Sequence, residues 1–156
     1  MSRATPAGLV ALAATLAGVG VSTYLTLAHY AHGMTLACPA THLVNCERVT
    51  TSPESVIAGV PVAVLGLAYF LAMTGLVLPG AWGSAAPRLH QVRAALAGLG
   101  VAMVLYLVWT ELFTLDAICL WCTSVHVLTL IVFALSVFRL AGQPTGGERA
   151  GQPSES

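Results

Sequence analysis

Residues 117–138 read AICLWCTSVHVLTLIVFALSVF, twenty-two residues without a charge between Asp116 and Arg139, with two of the chain's four cysteines near the start. About 20 apolar residues cross a bilayer as a helix, so this stretch is long enough to span one. Cys119 and Cys122 stand on its first turn. The amides of a helix N-terminus favour a thiolate, the form of cysteine that attacks disulfides and donates electrons. Two cysteines at this spacing can also close a disulfide across the turn. His126, four residues beyond Cys122, continues the same face about one turn deeper.

The rest of the chain has the same character. Its 156 residues are 57% hydrophobic and 8% charged, against roughly a quarter charged in a soluble domain. The reading is an all-α integral membrane protein. Charge-poor runs at 6–30, 59–78, 92–112 and 117–138 predict a four-transmembrane-helix bundle occupying 1–140. The first run is too long for the ~7 to 15 residue core of a signal peptide, so it is read as a retained span. Within it Ala14 and Gly18, four apart, allow close approach of a neighbouring helix. The third is the shortest, with 17 uncharged residues between Arg93 and Glu111. Residues 141–156, rich in Gly, Ser and Glu, cannot bury enough apolar surface to fold and are expected to be a disordered cytoplasmic tail.

Charge sets the orientation. Arg3, Arg88, Arg93, Arg139 and Arg149 all fall on one side of a four-span arrangement, which the positive-inside rule assigns to the cytoplasm. This places both termini inside and the chain in the cell inner (plasma) membrane as a multi-pass protein. All four cysteines then face the periplasm or cell exterior, where disulfides persist. The formal net charge is zero, so there is no electrostatic case for nucleic acid. The outward connection, 32–54, carries Cys38 and Cys46. It ends in a predicted short surface helix with Ser52 as N-cap and Pro53 at the first position. Residues 79–93 read as a cytoplasmic turn, and Asp116 as the cap of a helix beginning at Ala117.

The cysteines admit several chemistries. A c-type haem attachment requires His directly after Cys122, where Thr123 stands. A four-cysteine zinc site would gather Cys38, Cys46, Cys119 and Cys122 in a non-enzymatic scaffold or metal-handling protein, although an eight-residue separation is wider than usual ligand spacing. A structural staple is a third possibility. A redox pair explains the placement of all four at one membrane face, with His126 and the CxxC bordering a site where a quinone head group could dock.

Cys38 and Cys46, then Ser52, then Gly59-Val60-Pro61-Val62-Ala63-Val64-Leu65-Gly66, then Cys119-Leu120-Trp121-Cys122 opening the last span, together resemble the vitamin K epoxide reductase family in its bacterial form. The resemblance extends from about Tyr24 to Leu140. It implies a membrane thiol:quinone oxidoreductase, a four-helix bundle around a pocket for a menaquinone or ubiquinone type of acceptor, with no metal. Electrons would come from a separate, exported thioredoxin-like protein, since none is fused within these 156 residues, and the chain is read as a monomer in the lipid bilayer. In that scheme Cys38 and Cys46 take the partner's electrons. Cys46 attacks Cys119, Cys122 is released as a thiolate against the quinone, and Cys38 resolves the mixed disulfide. Cys46 is expected to travel to Cys119 on a mobile loop. Ser52, Ser55 and His126 match positions around the quinone. His126 stands where the animal enzymes carry a tyrosine, Ser52 also reads as a plain helix cap, and Trp121 reads as an interfacial anchor.

Overall fold

The computed structural model describes residues 5–31, 36–39 and 41–142. The tail expected over 141–156 lies outside the described residues from 143 onward, as do Arg3 and Arg149 and part of the 32–54 connection. Helix α1, Pro6–Tyr30, begins where the Thr5 hydroxyl accepts from the Gly8 amide at 3.2 Å and Pro6 occupies the first turn, both favourable at a helix start. A five-residue helix α2, Cys46–Thr50, is followed by a 3-10 turn at Pro53–Ser55. Strands β1, Val56–Ile57, and β2, Val60–Pro61, form a small antiparallel hairpin. Its turn runs through Ala58 and Gly59 at φ 52° and 82°. Then come α3, Val62–Val77, α4, Pro79–Trp82, and α5, Pro87–Trp109. A π turn at Thr110–Thr114 extends α5, and α6, Leu120–Ala141, closes the fold.

Three of these elements are long and apolar enough to cross a membrane: Pro6–Tyr30, Pro87–Thr114 and Leu120–Ala141. The expected span 59–78 is shortened to the 16 residues of α3, because the hairpin takes up the residues before it. At 1.5 Å per residue α3 is about 24 Å long, less than the ~30 Å hydrocarbon core. The expected 92–112 helix starts earlier, at Pro87, so the turn foreseen over 79–93 is mostly helical. The last helix starts later than 117. Asp116 does not cap it; at φ 47° it reverses the chain in the left-handed region that Asp tolerates better than most residues.

Helix α1 packs between α3 and α6, and α6 packs against α5, while α3 and α5 meet only loosely. Small side chains make the close packing possible. The buried stripe of α1 includes Gly8, Ala11, Ala14, Gly18 and Ser22. Ala14 joins Met73, Ala97 and Val132 at the centre of the bundle, and the Phe70 ring occupies the space a side chain on Gly18 would need. Overpacking a filled core costs about 1–3 kcal/mol. Gly18→Leu is therefore expected to lower the thermal midpoint in detergent, and an unchanged midpoint would show that α1 and α3 can separate freely.

Arg93 also departs from the expected loop position. It is fully buried, and its guanidinium donates to the carbonyls of Leu76 at 3.1 Å and Ala81 at 3.0 Å while lying 4.5 Å from the Trp82 ring centroid. Carbonyls at a helix C-terminus attract a cation. Arg93 thus ties the end of α3 to α5. His90, expected in a loop, is buried with it and bonds the Ser84 carbonyl through Nε2 at 2.8 Å.

Candidate active site

Backbone pairing brings the two cysteine pairs together. Val44 and Ile118 form a parallel bridge. Ile118 N–H donates to Leu43 O at 2.8 Å, and Asn45 N–H donates to Ile118 O at 3.1 Å. Cys46 stands two residues beyond Val44, and Cys119 one residue beyond Ile118. Asn45 caps α2 by accepting from the Arg48 amide at 2.9 Å, which fixes Cys46 as the first helical residue. Trp121 supplies a second tie. Its indole N–H donates to Ala37 O at 3.0 Å, its ring packs 4.9 Å from Tyr24, and the Tyr24 hydroxyl accepts from Ala37 N–H at 3.0 Å. The residue next to Cys38 is thereby held at the mouth of α6. Trp121, expected as an interfacial anchor, acts here as a loop clamp.

Cys38 and Cys46 are joined in a disulfide, and Cys119 and Cys122 are free thiols. Cys46 and Cys119, at 1% and 0% exposure, belong to one apolar cluster with Val49 and Ala117, against which Cys38, Cys122 and Trp121 also pack. Cys46, expected to travel to Cys119 on a mobile loop, already packs in the same cluster as Cys119. A four-thiolate zinc cage fits poorly, because two of its four sulfurs are bonded to each other. Among the described residues, no three metal-capable side chains gather elsewhere.

Cys119 is itself the N-cap of α6, its sulfur accepting from the Cys122 amide at 3.2 Å. A hydrogen bond from the Cys122 thiol lowers the Cys119 thiol below the ordinary cysteine range, against the opposing pull of burial, with the Cys122 and Trp121 amides helping to lower it and the Glu111 charge raising it. The helix start therefore serves Cys119 first. Stabilising a thiolate makes a sulfur the better leaving group in exchange.

Cys122 faces the other way. It borders a cavity of about 340 Å³ lined chiefly by apolar side chains of α3 and α5, including Leu65, Leu99 and Met103. This lies in the gap where those two helices fail to close on each other. Ser52, Ser55 and His126 all line it; Cys119 does not. Ser52 Oγ donates to Val49 O at 2.9 Å, and Ser55 Oγ donates to Ser52 O at 2.7 Å. Ser52 precedes the 3-10 turn without making the side-chain cap expected of it, and the helix in this connection is instead the earlier α2. His126 Nε2 and Tyr69 Oη are buried and, among the described residues, have no hydrogen-bond partner. Buried polar atoms are rarely left so, and both side chains line the cavity.

Reading the sequence alone missed Tyr69 and Glu111. Tyr69 stands one turn beyond Leu65 and Gly66 on the motif-bearing helix. Glu111 lies seven residues after the buried Val104, a spacing that returns to the same helix face, yet it reads as a boundary charge until the helix is seen to continue through it.

The family model described as vitamin K epoxide reductase family matches residues 9–137. The chain belongs to the vitamin K epoxide reductase family. The match covers both cysteine pairs and every cavity residue named above. A member of this family is a membrane oxidoreductase, and the family in general couples redox cysteines to a quinone and a redox partner. None of the curated proteins compared with the chain matches it.

Proposed function

We propose that this member of the vitamin K epoxide reductase family is a thiol:quinone oxidoreductase that keeps a disulfide-forming partner oxidised. A separate, exported thioredoxin-like protein delivers two electrons to Cys38 and Cys46. These pass to Cys119 and Cys122 and then to a membrane quinone of the menaquinone or ubiquinone type, so that exported proteins acquire disulfides. The observation that carries this reading is the position of Cys122. It stands between the buried cluster that holds Cys46 and Cys119 and an apolar cavity with unsatisfied hydrogen-bonding groups. The pairing of an oxidised Cys38–Cys46 with a free Cys119 and Cys122 corresponds to the stage before the quinone is reduced.

Four helices cross the membrane in this reading, α3 with the hairpin and α4 completing its passage. The cysteines lie on the outer side. Arg88, Arg93 and Arg139 gather at the opposite end of the helices, as the positive-inside rule asks. His126 and Tyr69 meet the quinone oxygens. Ser52 and Ser55, whose protons are engaged by backbone carbonyls, keep lone pairs that can accept from the O–H groups of the quinol. The gap between α3 and α5 admits the ligand from the lipid.

The test is quinone reduction by the purified chain in nanodiscs, with dithiothreitol as donor and a short-chain quinone as acceptor. The wild-type chain is expected to produce quinol catalytically. Losing one hydrogen bond costs about 1 kcal/mol, so Tyr69→Phe is expected to raise the quinone KM roughly fivefold. An unchanged KM would remove Tyr69 from the binding site; no quinol from the wild-type chain would overturn the whole reading.

A further inference from the structure

Glu111 is a buried acid that the electron path leaves without a task. Its residue is 5% exposed, on the interior stripe of α5 that carries Gly100 and Val104. It lies in the π turn, where Leu115 N–H donates to Thr110 O at 2.9 Å and the backbone is wider than in an α-helix; such turns are frequent at functional sites. Its backbone carbonyl accepts from Ala117 N–H at 3.1 Å, which holds the turn against the segment that leads into Cys119. The side chain also lines the cavity with Cys122, His126 and Glu54.

Among the described residues no arginine is placed to neutralise it, and His29 and His126 are the basic side chains that share its cavity. Among the described arginines, Arg48 is exposed on α2, and Arg88, Arg93 and Arg139 belong to the other end of the bundle. Arg93 is eighteen residues back along the same helix, about 27 Å away. An unpaired acid in such a place is costly, and inside membranes acids of this kind mark proton relays.

Resting on the thiol:quinone reading above, we propose that Glu111 is the proton carrier of the dithiol-to-quinone step. The reduced pair holds two protons with its two electrons, and the quinone must receive all four. The Glu111 carboxylate takes the proton of the Cys119 thiol, and the freed sulfur bonds to the sulfur of Cys122. The electron pair passes to the quinone. One quinone oxygen takes the proton released by Cys122, and the other takes the proton held by Glu111. Two S–H bonds break, one S–S and two O–H bonds form, the dithiol is oxidised and the quinone reduced. Glu111 returns to a carboxylate.

In the nanodisc assay, Glu111→Gln is expected to lower kcat about a hundredfold, the lower end of what a positioned acid–base group contributes, with the quinone KM little changed. Glu111→Asp, which keeps the carboxyl, should recover a substantial part of the rate. A Glu111→Gln chain with a kcat within about threefold of wild type, or one impaired only in KM, would overturn the proposal. If the Gln variant fails to fold, time-resolved infrared spectroscopy of the wild type decides. A protonated-carboxyl band should rise and decay with turnover and shift in Glu111→Asp, and its absence overturns the assignment. The two levels fail differently. A wild-type chain without quinone reductase activity sinks the parent reading, whereas full activity in Glu111→Gln beside an active wild type sinks only this one.

Discussion

Cys122→Ser is expected to reduce dithiol-driven quinone reduction to background while leaving the fold and the Cys38–Cys46 disulfide intact. The chemical reason is that two electrons leave the last station as a bond between two sulfurs. With serine at 122, Cys119 has no partner on its own helix with which to close. Position explains why the loss should be so complete. Cys122 lines the cavity and Cys119 does not, so the remaining thiol has no direct access to a quinone. Serine is close in size, and its hydroxyl can replace the thiol as a donor to the Cys119 sulfur, so the start of α6 should persist. The measurement is quinol formation together with the thermal midpoint. Full activity with an unchanged midpoint would move the quinone step to another residue and discard the cavity as its site.

Cys38→Ser is expected to convert most of the oxidised protein into a form crosslinked between Cys46 and Cys119. In the wild type Cys38 competes for the Cys46 sulfur and resolves the mixed disulfide as fast as it forms. Removing it leaves Cys46 beside the only other sulfurs in its cluster. Cys119 is the favoured target in the oxidised CxxC because it is buried in the same cluster as Cys46, whereas Cys122 borders the cavity. The backbone pairing of Val44 with Ile118 keeps the two residues in register. Peptide mapping by mass spectrometry without reduction reads the crosslink directly. A Cys38→Ser chain in which Cys46 stays a free thiol after oxidation would show that the loop and the CxxC do not exchange, and the relay would fail at its middle step.

Both variants test a chain of exchanges whose driving force is small at each hop. For a two-electron couple about 30 mV corresponds to 1.4 kcal/mol, so modest differences in thiolate stability are enough to direct the flow. The hydrogen bonds at the start of α6 are one such difference, since they favour the anion on Cys119 and make it the better leaving group when Cys38 attacks the Cys46 sulfur to resolve the mixed disulfide.

Much of this was legible in the residues themselves. The uncharged run after Asp116 leaves a helix in lipid as the only way to satisfy its backbone, and four cysteines divided between a polar connection and a helix start already point to thiol exchange. Ala14 and Gly18 marked the tightly packed face of α1. Other local readings went astray where a neighbouring segment competed. Ser52 was expected to cap a helix but spends its hydroxyl on Val49, because Asn45 starts the helix earlier. Asp116 was expected to cap α6, but the reversal after the π turn needs a left-handed residue there. Arg93 read as a loop charge because nothing in its own neighbourhood shows that the carbonyls of Leu76 and Ala81 converge on it.

The sequence by itself determined the solvent, most of the helices and the four cysteines as candidates for redox chemistry, since composition and the spacing of apolar and polar residues act over a few turns of one segment. Only the tertiary structure decided which sulfurs touch, which one borders the cavity, and that Tyr69, His126 and Glu111 share its wall. Those facts depend on residues 44 and 118 pairing across more than seventy positions and on α3 and α5 failing to close. Contacts between distant segments are fixed by the packing of the whole bundle, and no single stretch of chain carries them.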